Sequence, residues 1–274
     1  MRYLRIITIA IFLVACTVLG WTLHSVSQRD TVAPQIQDAE GTLHLKAGDD
    51  SALLLRGLTA WDDRDGDLTH RIIVERVSRF STAGVCRVSY VVFDNSRNFV
   101  RYSREVIFDD YQPPRLRLDK PLMYYAGESI TVMDRLHLED CLDGDITHKL
   151  KLESSTVSES VVGIYEVEVR ATSNYGDEVY AKVPLNITEY SAGTPQITLT
   201  EYLVYLKVGT KFNPLSIVES VTDHAGNHIP LSELKVVSQV DMSKPGGGQI
   251  RLEATDDRGI TGITYLTVIV EEAE

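Results

Sequence analysis

Asp62-Asp63-Arg64-Asp65-Gly66-Asp67-Leu68-Thr69-His70 is answered, 78 residues further on, by Asp140-Cys141-Leu142-Asp143-Gly144-Asp145-Ile146-Thr147-His148. A weaker third copy, Asp223-His224-Ala225-Gly226-Asn227-His228, keeps the leading aspartate and loses the other two. An acidic loop repeated at a fixed interval marks a chain assembled from one supersecondary unit used several times. Working outward from the loop, each copy has the same surroundings. Upstream stands a Pro-x-(β-branched or Leu) opening: Pro34-Gln35-Ile36, Pro114-Arg115-Leu116 and Pro195-Gln196-Ile197. A short apolar run then ends in a glycine, at Gly48, Gly127 and Gly209.

Downstream of each loop lies a strict two-residue alternation. Gly84-Val85-Cys86-Arg87-Val88-Ser89-Tyr90 parallels Gly163-Ile164-Tyr165-Glu166-Val167-Glu168-Val169 and Gly248-Gln249-Ile250-Arg251-Leu252-Glu253-Ala254. Period-2 alternation gives strands with one buried and one wet face. A polar turn follows each: Asp94-Asn95-Ser96-Arg97-Asn98, Ser173-Asn174-Tyr175-Gly176 and Asp256-Asp257-Arg258-Gly259. Many short strands with regular turns predict a β-sandwich in each unit. Gly246-Gly247-Gly248, after Pro245, reads as a flexible hairpin turn.

The repeats resemble the bacterial immunoglobulin-like domains of a pesticidal crystal protein and of many Gram-positive surface proteins, related to the hyaline-repeat adhesion module. The resemblance rests on the Asp-x-x-Asp-Gly-Asp-(Leu/Ile)-Thr loop, the Gly-x-Tyr-x-Val-x-Val strand and the Asp-x-x-Gly turn, and covers residues 34–271. Cys86 stands where the family has Tyr, Arg97 where it has the turn Gly, and Ser173 where it has the turn Asp. It implies an all-β chain of three tandem immunoglobulin-like β-sandwiches, and a role as extracellular spacer or as adhesion or carbohydrate-contacting module. The expected divisions are an N-terminal segment over 1–30 and domains over 31–110, 111–190 and 191–274.

The first thirty residues differ in kind. Arg2 and Arg5 precede an uncharged stretch, Ile6–Leu23, with Trp21 near its far end. Eighteen helical residues reach about 27 Å, close to the hydrocarbon thickness of a bilayer. Basic residues before the span keep that end cytoplasmic and place the body outside the cell. A transmembrane signal anchor over residues 6–23 is therefore expected, giving a single-pass protein of the cell membrane with an extracellular C-terminal body. Two other fates share this compartment: lipidation at Cys16, after Leu13-Val14-Ala15, and cleavage with release.

The formal net charge is −12, and residues 1–30 contribute +2, so the body carries −14. An acidic body of this size repels phosphate backbones, and nucleic acid is not an expected partner. With Cys16, Cys86 and Cys141 as the only cysteines, no unit can close an internal disulfide. There is no Gly-x-Ser-x-Gly elbow, His-Glu-x-x-His helix, phosphate-binding glycine loop or Cys-x-x-Cys, and the chain is expected not to be an enzyme. A spacer, adhesion or envelope-binding module is the leading expectation, a carbohydrate-binding accessory protein the second, and an envelope-assembly factor or enzyme the third.

The acidic loops offer hard oxygen ligands at short spacing, as calcium requires. Asp62, Asp65 and Asp67 form one candidate set. Asp140, Asp143 and Asp145, with Asp109 and Asp110 of the preceding linker, form another, expected to bridge the first two domains. The competing reading is that these side chains accept local backbone N–H bonds and only shape the turns. His70 and His148 recur at one position but lack a second His or Cys partner. Tyr111, Tyr124, Tyr125, Tyr190, Tyr202 and Tyr205 cluster near linkers and first strands, where tyrosine rings could stack on sugars or partner proteins.

Overall fold

The computed structural model describes residues 2–27, 30–155 and 157–273. A single α-helix, α1 (Arg2–Ser27), precedes an all-β body. Contacts divide the chain into two compact units, 1–109 and 110–274.

In the first unit the strands are β1 (Gln35–Asp38), β2 (Leu43–Leu45), β3 (Leu58–Asp62), β4 (Gly66–Asp67), β5 (Ile73–Val77), β6 (Val85–Phe93) and β7 (Phe99–Phe108). They form one sheet in the order β1-β3-β4 and a second in the order β2-β7-β6-β5, with β2 parallel to β7. The alternation read in the sequence sets the faces: in β3, Leu58, Ala60 and Asp62 point inward while Thr59 and Trp61 face out. Leu43, Leu45, Leu58, Ala60, Val88, Tyr90, Val92 and Val106, drawn from both sheets, make a single core.

That core encloses a charge. Arg104 and Asp38, with side chains 1% and 4% exposed, pair at 3.1 Å. The other guanidinium donors reach Tyr90 Oη (3.2 Å), Leu54 O (2.9 Å) and Arg56 O (2.7 Å). Asp38 also accepts the N–H groups of Glu40 and Gly41 and the Tyr102 hydroxyl. Burial works against the Asp38 carboxylate, yet these donors and Arg104 together hold its pKa below the ordinary value.

The second unit contains β8 (Arg115–Leu118), β9 (Met123–Tyr125), β10 (Leu136–Asp140), β11 (Gly144–Asp145), β12 (Lys151–Ser155), β13 (Gly163–Thr172) and β14 (Glu178–Thr188). It continues with β15 (Gln196–Leu199), β16 (Leu203–Lys207), β17 (Val218–Thr222), β18 (Lys235–Ser238), β19 (Gly246–Thr255) and β20 (Thr261–Glu271). The sheet orders β11-β10-β8 and β12-β13-β14-β9 repeat the plan of the first unit, and β15-β17 and β16-β20-β19-β18 repeat it again with one sheet reduced to two strands. Each pair of sheets has its own core.

A tight seam joins the two halves of this unit. Asn186 and Gln249, 2% and 3% exposed, exchange amide hydrogen bonds of 2.6 and 3.3 Å. Leu116 N–H donates to the Tyr205 hydroxyl at 2.7 Å, and burial pushes that phenol up to about 12. Gly246–Gly248, expected as a flexible turn, instead open β19 and pair with Val268–Val270. The reason is steric. A Cβ on Gly247 would overlap the Lys182 carbonyl of β14, so only glycine lets these backbones meet.

Among the described residues no helix is long and apolar enough to cross a membrane. The spanning helix expected over residues 6–23 is thus not supported. Helix α1 is 26 residues long, and its described side chains, Ile7 to Thr22, are all exposed. Ile6 and Leu23, its expected ends, lie outside the residues with described side chains. The three cysteines are free, with Cys86 buried in the first core.

Candidate functional site

The acidic loops fold as turns braced by their own carboxylates. Asp62 Oδ1 accepts Arg64 N–H and Asp65 N–H, both at 3.0 Å, and Gly66 takes the left-handed φ of +74° the kink requires. Asp65 reaches across to the β6–β7 turn, accepting Asn95 N–H at 2.7 Å and its side-chain amide at 2.6 Å. Asp67 accepts Thr69 N–H at 2.9 Å. Asn95's backbone N–H holds the Asp65 carboxyl below its ordinary range, and Thr69, by its hydroxyl and then its N–H, does so for Asp67.

The second loop repeats this arrangement. Asp140 Oδ1 accepts Leu142 and Asp143 N–H, Asp143 Oδ2 accepts Asn174 N–H, and Asp145 Oδ1 accepts Thr147 N–H. Asp109 contacts His44 Nδ1 at 2.8 Å within the first unit, and Asp110 lies near the Cys141 thiol in the second. His70 and His148 are exposed on short 3₁₀ turns.

Of the sequence-predicted ligands, the structure gathers Asp62 into a different set. Asp30, Asp62 and Asp94, all buried (7%, 3% and 5% exposed), each place one carboxylate oxygen within 4.8 Å of the other two. Topology brings together the lead into β1, the end of β3 and the turn after β6. Asp30 Oδ1 accepts Val32 N–H at 2.9 Å, and Asp94 accepts Asn98 N–H and its amide, both at 2.7 Å. The same amide donates to Asp30 O at 3.1 Å. Asp62 Oδ2 is buried and has no hydrogen-bond partner.

At an effective dielectric near 20, two carboxylate charges at that separation repel by about 3.5 kcal/mol. Among the described residues a counter-charge comes from Arg64 Nε, 3.9 Å from Asp30 Oδ2 on a half-exposed side chain. The sequence reading placed Asp94 in a turn and gave Asp30 no role; nothing local joins residues 32 positions apart.

The later repeats treat this place differently. In the third, Arg258 donates to Asp256 Oδ2 at 2.7 Å and to Gly193 O at 2.7 Å, setting a side-chain cation beside the aspartate that corresponds to Asp94. In the second, Ser173 takes the position of Asp94, and Asp140 Oδ2 remains buried without a partner.

A second surface lies on the outer face of the β1-β3-β4 sheet. Trp61 is 52% exposed and pairs across the strands with Gln35. Gln37, Thr59, Asp67 and Thr69 complete an open groove of about 500 Å³ beside its ring. The expected tyrosine cluster is mostly spent on structure. Tyr124 is buried beneath the Arg135 guanidinium, Tyr205 sits in the seam, and Tyr190, at 70%, is strongly exposed. The alternation of Leu58-Thr59-Ala60-Trp61-Asp62 already carried the signal for Trp61.

No family model matches the chain. It is 32% identical to the pesticidal crystal protein Cry22Aa of Bacillus thuringiensis over 127 residues, 45% of this chain and 17% of that protein. It is 26% identical to an uncharacterized 81.3 kDa protein of Acholeplasma phage L2 over 136 residues, 48% of this chain and 18% of that one. The chain therefore matches less than a fifth of the length of these curated relatives. Among solved structures, Drosophila N-cadherin EC1-3 aligns with a TM-score of 0.28 at 12% identity, over 85% of this chain and 98% of that one. A Clostridium perfringens ZmpB structure, CBM51-2 in complex with GlcNAc and INT domains, aligns at 0.24 and 15% identity, over 54% of this chain and 26% of that one. The similarity to Cry22Aa accords with the resemblance carried by the acidic loops.

Proposed function

We propose that this chain is a non-enzymatic, membrane-anchored module on the outside of the cell, serving as a spacer, adhesion or envelope-binding element. The observation that carries this reading is the seam of the second unit. Two buried amides, a partly buried tyrosine hydroxyl and a glycine-only backbone contact join successive sheet pairs, where a chain of independent binding domains would need only a flexible linker. Such a joint suits a part whose task is to hold a distance. In this reading helix α1 holds the chain at the membrane without the span expected over residues 6–23, and its exposed Ile7, Ile9, Ile11, Phe12, Leu13 and Val14 support this by needing an apolar cover.

The test is a distance measurement. Nitroxide-bearing unnatural residues at Lys151 and Lys235 of the full chain in detergent are expected to give one narrow distance distribution by pulsed electron resonance. A broad distribution, as from two domains on a free linker, removes the spacer reading.

Carbohydrate binding is the second reading, favoured by the exposed Trp61 ring with amide and hydroxyl groups around it. A glycan array probed with the wild type and with Trp61→Ala tests it. Binding lost in the variant supports it; a blank array counts against it.

A further inference from the structure

We infer that Asp30, Asp62 and Asp94 form a site for a hard divalent cation of the calcium class, which clamps the lead into β1 onto the end of the first sandwich. The first ground is convergence: among the described residues, this is where three metal-ligating side chains meet. The second is the Asp62 carboxylate. Its Oδ1 braces the turn, while Oδ2 is buried beside two other carboxylates and receives no hydrogen bond. Buried oxygens normally find donors, and one left among like charges is stabilised by a cation or a proton, which the Asp62→Asn comparison below tells apart. The donor set is all oxygen, which suits calcium, with its tolerance of six to eight oxygens in uneven geometry, and water can complete the shell.

The third repeat supplies an internal comparison. There the Arg258 guanidinium bridges the corresponding aspartate, Asp256, and the carbonyl of Gly193 in the lead to β15. In the first repeat Ser96 takes the place of Arg258, and an aspartate from the lead faces Asp94 instead. The role filled by a side-chain cation in one repeat thus falls to a bound ion in the other. The ligand set also differs from the one the loop motif suggests, because Asp65 and Asp67 are committed to Asn95 and Thr69.

The consequence is mechanical. Asp30 lies in the lead into β1, so an ion held by Asp30, Asp62 and Asp94 fixes that lead to the end of the sandwich. Withdrawing it frees that lead.

The experiment uses the full chain in detergent, stripped with chelator, with calcium chloride as the probe. Calcium at a hundred times its dissociation constant is expected to raise the first unit's melting temperature by roughly 10–20 °C. Asp62→Asn keeps the turn-bracing Oδ1 and replaces the orphan oxygen with a donor. It should melt higher than the wild type in chelator and respond to calcium far less. No shift in the wild type, or equal shifts in wild type and variant, overturns the site. If Asp62→Asn does not fold, terbium bound to the wild type decides. One ion per chain, displaced by calcium, with Trp-sensitised emission lost in Asp30→Asn, supports the assignment. No emission, or emission unchanged in Asp30→Asn, overturns it.

Discussion

Replacing Gly247 with alanine adds one methyl group at the point where β19 touches β14. Gly247 is not in the left-handed region, so backbone strain plays no part. Its Cβ would fall well inside contact distance of the Lys182 carbonyl oxygen, whose backbone belongs to a strand hydrogen-bonded along its length. The strands must part by about 1 Å, a gap that forfeits much of the local dispersion energy. The Asn186–Gln249 amides, bonded at 2.6 and 3.3 Å, would then lose each other while still buried, Gln249 keeping its bond to Gln239 Oε1. Overpacking costs about 1–3 kcal/mol and an orphaned buried polar group about the same, so a loss of about 2–6 kcal/mol is expected. Elsewhere in a strand, alanine would be favoured over glycine by about 0.5–1 kcal/mol. Gly163 provides that control, because its added Cβ meets only the Tyr165 ring at ordinary distance. Urea denaturation monitored alongside the Lys151–Lys235 distance should show Gly247→Ala destabilised with a broadened distribution, and Gly163→Ala neutral or stabilised. Equal behaviour of the two variants would refute the claim that the glycine contact makes the joint.

Arg104→Met should cost about 3–5 kcal/mol in the first unit, because it leaves the Asp38 carboxylate buried without its cation; a shift of the urea midpoint equivalent to under 1 kcal/mol would contradict this. Asp38, Asp65 and Asp67 have pKa values lowered on folding, so the unfolded chain binds their protons more readily. Their stabilisation is complete above the ordinary carboxylate pKa and declines as the pH falls below about 4 toward the folded values. Melting curves from pH 6 to 2 should fall steeply only in that acid range. Burial pushes the Cys86 thiol up to about 11, so at pH 8 it should label with a thiol reagent only as fast as the first unit unfolds.

Much of the fold could be read from particular residues. The alternation Val85-Cys86-Arg87-Val88-Ser89-Tyr90 places Cys86, Val88 and Tyr90 inward, as found. Arg97 shows how local a turn's demand is: it holds a left-handed φ of +72° at the position where Gly259 has +76°. The acidic loops were legible as turns, since Asp62 and Asp140 bond N–H groups two and three residues ahead. The Asp30–Asp62–Asp94 cluster was not, because its members meet only after the sandwich closes. The triple glycine misled for a related reason. Its composition suggests freedom, whereas its use is to admit a neighbouring backbone.

The order of residues determined the period of the repeats, the inward and outward faces of each strand and the turns between them. These follow from spacing and from backbone preferences within a few residues. The closed structure decided which buried polar atoms find partners: Arg104 with Asp38, Asn186 with Gln249, and Asp62 Oδ2 with none. Pairing of that kind depends on distances between segments far apart in the chain. Those distances exist only once two sheets have packed face to face.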